Sequence, residues 1–152
     1  MRHGGQPRSP YPWNIKSVSE VFADTYYFFA ILNPEDPAHM GAVRYSEARD
    51  VCLVTTTWIL TELADGLART SHRNAFQGVL EGLLLEPQTT IVPPSQALFE
   101  EGVALDNSRA DKTWSLTDCI SFVVMEECGL TEALTGDRHF EQAGFQTLLA
   151  IG

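Results

Sequence analysis

Short runs of apolar and β-branched residues alternate with longer stretches of helical character, and this alternation is what most narrows the folds open to the chain. Val18, Val21, Phe22 and Ala23 predict a strand ending near Asp24. Residues 51–55 (VCLVT), 89–92 (TTIV), 132–135 (EALT) and 145–150 predict four more. Between them the pattern predicts helices. The first, 26–32, is aromatic and ends at Asn33-Pro34; the second, 38–49, is opened by Pro37, at the position a helix start favours. Thr56 or Thr57 can cap a third, whose apolar stripe is Ile59, Leu60, Leu63, Leu67 and Ala68. Further helices are predicted at 75–85, 96–109, 119–128 and 138–143. Strands separated by helices cannot form tight hairpins. They form a mainly parallel sheet with helices on both faces, which is a three-layer α/β/α sandwich.

The chain's 152 residues suit one domain, and its 44% hydrophobic and 20% charged residues permit an ordinary core. Residues 1–16 (MRHGGQPRSPYPWNIK) show no period of 2 or 3.6, so they are expected to be a flexible tail, with 17–152 as the single domain. The tail lacks the apolar stretch of a signal peptide. No apolar run approaches the roughly 20 residues that span a bilayer, so a cytoplasmic location without membrane contact is expected. Cys52, Cys119 and Cys128 have no C-x-x-C spacing and are odd in number. They suggest buried free thiols in a reducing compartment rather than a zinc site or a disulfide framework.

Charge sets a second limit. Twenty acids against ten lysines and arginines give −10, and only Lys16 and Lys112 are lysines. A surface that coats nucleic acid nonspecifically needs clustered basic residues. A metal-assisted enzyme does not, because cations can hold the phosphate.

Most of the acids read as solvated positions. Four are placed differently. Asp24 and Asp137 follow predicted strands, Asp118 opens a helix after Trp114, and Glu62 borders the apolar stripe of the third helix. Open α/β sheets bind ligands beyond the carboxyl ends of their strands. Four carboxylates converging there repel one another unless protonated or bound to a cation, and oxygen donors favour Mg²⁺ or Mn²⁺. Each acid also has a plain explanation. Asp24 can cap a helix, Ser115-x-x-Asp118 fits a capping box, Asp137 can serve a turn, and Glu62 can be solvated. Capping and site roles are compatible, since sites are often built at helix starts.

These residues in this order resemble the PIN-domain nucleases, especially the VapC-like toxins of type II toxin–antitoxin pairs. The stretches that carry the resemblance are VFADTYYFFAIL, DPAHMGA, TTTWILTELADGL, DKTWSLTDCISFVVMEECG and ALTGDRHFEQAGF, from about Val21 to Phe145. The pairing of S-L-T-D-C with L-T-G-D-R-H-F at this spacing is the most specific part. The resemblance implies a metal-dependent endoribonuclease that uses Mg²⁺ or Mn²⁺. Asp24, Asp118 and Asp137 would be metal ligands or supports, and Glu62 would complete the catalytic cluster. Ser115 and Thr25 would brace it by hydrogen bonds. It further implies an RNA substrate, an antitoxin partner whose basic tail enters the acidic pocket, and a homodimer. The chemistry is in-line attack of a metal-oriented water, with Asp24 the first candidate to take its proton or hold the hydroxide, leaving 5′-phosphate and 3′-hydroxyl ends. The longer Pro/Gly-rich start and the acidic balance depart from the family's pattern.

Arg69, Arg73 and Arg138 are candidate RNA contacts, with a solvated helix face or a local ion pair as the alternatives. His139, beside Asp137, fits a local ion pair, a helix-start role or a substrate contact. Asp36 and His39 are close enough for a local capping contact. Trp58 and the aromatics of 26–29 and Phe122 suit a core or a dimer surface better than base stacking. Other functions remain open on sequence. One is a PIN-fold module that binds metal or a partner without cutting; another is an RNA-processing nuclease without an antitoxin. A phosphoacceptor receiver is weakened because Asp24 has no adjacent acid, Val92 precedes Pro93, and no lysine follows Lys112. A phosphatase of the haloacid-dehalogenase type would need D-x-D, and the chain has Asp24-Thr25-Tyr26.

Overall fold

The computed structural model of the protein describes residues 18–151. The expected tail at 1–16 lies outside them. Five strands, β1 (Ser19–Ala23), β2 (Val51–Thr56), β3 (Thr89–Val92), β4 (Glu132–Leu134) and β5 (Gln146–Thr147), form one sheet in the order β3-β2-β1-β4-β5. Every neighbouring pair is parallel. The helices are α1 (Thr25–Leu32), α2 (His39–Glu47), α3 (Thr57–Leu67), α4 (Ala75–Leu85), α5 (Gln96–Ser108), α6 (Leu116–Cys128) and α7 (Arg138–Gln142). The α/β sandwich read from the alternation is the observed architecture.

The strand order locates the crevice. From β1 the chain steps outward to β2 and β3, then returns through α5 and α6 to place β4 on the other side of β1. The direction of winding reverses at β1 and β4, where Phe22 pairs with Ala133 and Ala23 with Leu134. In a parallel sheet such a reversal leaves a gap above the strand ends, because the two connecting helices diverge there. Asp24 follows the last residue of β1, and Thr135 follows the last residue of β4.

The core explains why these strand ends are fixed. Val21, Phe22, Ala23, Ala133 and Leu134 are all buried, as befits central strands covered on both faces. Below the crevice, the Phe122 ring meets Trp114 and Phe140 edge-on, each at 5.0 Å between centroids, and Phe145 at 5.7 Å. This aromatic cluster seats α7 and the turn before α6 on the sheet. Gly102 lets α5 close on α6, for a Cβ there would lie 2.4 Å from Ile120 Cγ1. Gly129, at φ 66°, ends α6 in the left-handed conformation that glycine adopts without a steric cost.

Several boundaries differ from the sequence reading. β5 holds only Gln146 and Thr147 rather than the whole of 145–150. It is an edge strand with one partner, so apolar residues around it serve packing rather than pairing; Leu149 is buried outside the strand. The helix expected at 119–128 begins at Leu116 because Ser115 caps it. Of the cysteines expected to be buried, Cys119 is, Cys52 is half-buried and Cys128 is exposed, at the last position of α6. Among the described residues, no helix is long and apolar enough to cross a membrane.

Candidate active site

Asp24 occupies the N-cap position of α1, yet its side chain caps nothing. Its Oδ2 instead accepts a hydrogen bond from Thr135 Oγ1 at 2.8 Å, across the strand ends from β1 to β4. The capping explanation for this aspartate therefore fails. The residue is only 5% exposed. Burial drives its carboxyl pKa up to about 7. The Thr135 hydroxyl and the Thr25 N–H oppose that rise, while the charges of Asp118 and Glu62 add to it.

Asp118 satisfies both of its readings. It completes a capping box at the start of α6: its N–H donates to Ser115 Oγ at 3.0 Å, and its Oδ2 accepts the Ser115 N–H at 3.1 Å. The same Oδ2 lies 2.8 Å from His139 Nδ1. Asp137 caps α7 by accepting the His139 N–H on Oδ1 at 2.9 Å, and its own N–H donates to Thr135 Oγ1 at 3.0 Å. Glu62, half-buried on the second turn of α3, accepts the Thr25 hydroxyl on Oε1 in a short hydrogen bond. Thr25 and Ser115, the two candidate braces, thus each contact one of the four acids.

A common pattern runs through the four acids. Each has one oxygen held by a protein hydroxyl or N–H. Among the described residues, Oδ1 of Asp118, Oδ2 of Asp137 and Oε2 of Glu62 accept no hydrogen bond. Anchored carboxylates with a free oxygen are what a hard cation needs. Asp118, Asp137 and His139 offer donor atoms that all lie within 4.8 Å of one another. The buried, mutually repelling acids near them give a divalent ion strong electrostatic reason to bind. The donor set therefore fits a divalent metal ion, with Asp118, Asp137 and His139 offering donor atoms together and the charges of Asp24 and Glu62 nearby.

Two contributors were not in the set of four acids read from the sequence. His139 has both local roles considered for it, an ion pair and a helix start, but the ion pair also reaches back to Asp118, 21 residues earlier. Thr135 was missed. Its signal was a hydroxyl at the inward-facing end of EALT, two residues before Asp137, where a fully buried polar group must find a partner. Gly136 between them has a structural duty. A Cβ there would lie 2.6 Å from the Tyr26 ring, so glycine lets the loop close over α1.

The arginines are less committed. Arg69, Arg73 and Arg138 are all exposed. Arg73 Nη1 donates to the Ala68 carbonyl at 3.0 Å and so closes the end of α3. Arg138 is the first residue of α7, beside Asp137. Asp36 and His39 do meet locally at the start of α2, where the His39 N–H donates to the Asp36 carbonyl at 2.9 Å, while their side chains bond elsewhere. Asp36 Oδ1 accepts the Ala38 N–H at 2.8 Å, and His39 Nδ1 lies 2.7 Å from the Ala30 carbonyl oxygen.

The profile of the PIN domain matches residues 21–146. The chain belongs to the PIN domain family. Solved structures agree with that assignment. VapC20 of Mycobacterium tuberculosis, described as a sarcin-ricin loop cleaving toxin, superposes with a TM-score of 0.74 at 25% identity, over 82% of this chain and 95% of that one. VapBC2 of Rickettsia felis, bound to a DNA fragment from its promoter, gives 0.61 at 12% identity, over 84% and 96%. FitAcB of Neisseria gonorrhoeae gives 0.56 at 19% identity, over 84% and 95%. The last two likenesses concern the fold alone. No curated protein sequence matches the chain significantly. The four acids of this PIN domain thus stand around the winding reversal of a fold shared with VapC toxins.

Proposed function

We propose that this PIN domain is a Mg²⁺- or Mn²⁺-dependent endoribonuclease and the toxin of a toxin–antitoxin pair. The observation that carries the reading is Asp24. It is buried at the strand-end crevice, does not cap its helix, and feels the charges of Asp118 and Glu62. A fold needing only a helix cap would not keep an acid in that position. Bound there, a divalent cation supplies Lewis-acid stabilisation of a phosphoryl group and lowers the pKa of a water.

The chain's own residues supply the rest. Thr135 and Thr25 fix the rotamers of Asp24 and Glu62, so the crevice needs little rearrangement when a phosphodiester enters. Asp24, buried at the end of β1 with one oxygen held by Thr135, is placed to hold the attacking water or take its proton. Arg138, exposed beside Asp137, is placed to meet a neighbouring phosphate, and Arg69 and Arg73 can extend that contact. The activity named for the Mycobacterium tuberculosis toxin supports RNA as the substrate.

The partner reading has its own support. A crevice of unneutralised acids on a chain of charge −10 favours a basic segment, as an antitoxin tail would be. The likeness to the VapC20 toxin points the same way. A homodimer is supported by α4, which has no buried residue and leaves Leu84 and Leu85 68% and 82% exposed. We place the protein in the cytoplasm, with its target RNA.

The test is a mixed RNA panel, including transfer RNA and ribosomal fragments, with Mg²⁺, Mn²⁺ or excess chelator, beside folded Asp24→Asn. Cutting that needs metal and disappears in the variant is expected. Equal cutting by the variant contradicts the reading, and metal binding without any cutting favours a non-catalytic module. A neighbouring small antitoxin gene would support the toxin assignment; a solitary gene would favour RNA processing.

A further inference from the structure

His139 touches two of the candidate ligands in two different ways. Its main-chain N–H holds Asp137 Oδ1 at 2.9 Å, and its ring Nδ1 lies 2.8 Å from Asp118 Oδ2. An ionised carboxylate can only accept, so the ring nitrogen facing it carries the proton. Its Nε2 faces the Thr113 hydroxyl, 3.4 Å away. Oδ2 of Asp118 is then occupied twice, by the Ser115 N–H and by the imidazole. Oδ1 accepts no hydrogen bond among the described residues.

We infer that His139 is a positioning residue of the metal site, which acts by donating Nδ1–H to Asp118 and leaves the other oxygen of that carboxylate as the ligand. The inference rests on the proposed metal-dependent function and assigns a residue outside its four acids. A carboxylate held by one donor can still turn about its last torsion. Two donors converging on one oxygen from different elements, the cap of α6 and the ring on α7, fix the plane. The segment that carries the ring is itself anchored in the core. Phe140, the next residue, is fully buried and stacks edge-on with Phe122 at 5.0 Å. Asp118 and Asp137 lie on separate segments, and one residue thereby sets their relative placement.

The competing role is direct ligation by Nδ1, which would place nitrogen on the metal. Mn²⁺ titration separates the two. Wild type, His139→Ala and His139→Asn are each titrated with Mn²⁺ alone by calorimetry, with circular dichroism to verify folding. Electron spin echo spectra of the Mn²⁺-loaded proteins report any bound nitrogen. The asparagine amide can place an N–H near the position of Nδ1. We expect His139→Ala to bind Mn²⁺ about 10- to 100-fold more weakly, His139→Asn to recover most of that loss, and wild type to show no nitrogen coupling. Unchanged affinity in the alanine variant overturns the inference, as does failure of asparagine to rescue or a nitrogen coupling in wild type. Absence of Mn²⁺ binding by wild type would instead overturn the metal-dependent reading, and this inference with it.

Discussion

Thr135 donates its hydroxyl proton to Asp24 Oδ2 at 2.8 Å, joining two residues 111 positions apart. Thr135 Oγ1 in turn accepts the Asp137 N–H at 3.0 Å. One fully buried hydroxyl thus sets the acid after β1 relative to the acid after β4. Thr135→Val keeps the shape and removes both contacts. A buried carboxylate then loses a donor and an N–H is left without its acceptor, which costs about 1–3 kcal/mol. Denaturant unfolding should show that loss, and Mn²⁺ titration should show affinity about 10- to 100-fold weaker.

Asp24 makes the metal-free protein sensitive to pH. Its ordinary pKa of 3.8 is raised to about 7 in the folded state, chiefly by burial. Across that window the folded chain keeps a proton that the unfolded chain has released, so stability falls as pH rises. The fall amounts to a few kcal/mol at most. Asp24→Asn removes it, and metal-free Asp24→Asn should therefore melt above wild type at pH 8 and match it more closely at pH 4.5. Metal binding should tighten over the same window and release protons, because the ligand form of Asp24 is the ionised one. Thermal melts and calorimetry in buffers of different ionisation enthalpy check both statements.

Glu62→Gln separates charge from geometry. The amide oxygen can still accept the Thr25 hydroxyl that now meets Oε1, so the fold should persist. The negative charge is lost. RNA cleavage and Mn²⁺ affinity should each fall about 10- to 100-fold, while the melting temperature stays near that of wild type. A large loss of stability would show that Glu62 serves the core instead.

Gly102→Ala should do the reverse. The new Cβ meets Ile120 Cγ1 at 2.4 Å, so the Ile120 side chain or the packing of α5 on α6 must shift. Overpacking of this kind costs about 1–3 kcal/mol. Unfolding by urea should detect it, with Mn²⁺ affinity unchanged because Ser115 still holds Asp118.

The order of elements was legible because each used a strong local signal. VCLVT and TTIV are short β-branched runs, Thr56 caps α3 by accepting the Ile59 N–H, and Ser115-x-x-Asp118 is a capping box. Less could be read where pairing or packing decides. The end of β5 depends on having only β4 as a neighbour, which no local pattern records. Asp24 reads locally as a helix cap, and Thr135, beyond the end of the neighbouring strand and 111 residues away, turns it inward. His139 was visible as a neighbour of Asp137, whereas its contact with Asp118 is a product of how α7 packs on α6. Strand-end acids can therefore be found by position, and the groups that hold them only by topology.

The most direct test of the central claim is anomalous diffraction from crystals of the protein soaked with Mn²⁺. The account predicts a peak in the crevice above β1 and β4, coordinated by Asp118 and Asp137 with Asp24 or Glu62 completing the shell, and lost in Asp118→Asn. Full occupancy of Mn²⁺ elsewhere on the molecule, with that crevice left empty at neutral pH, would contradict it.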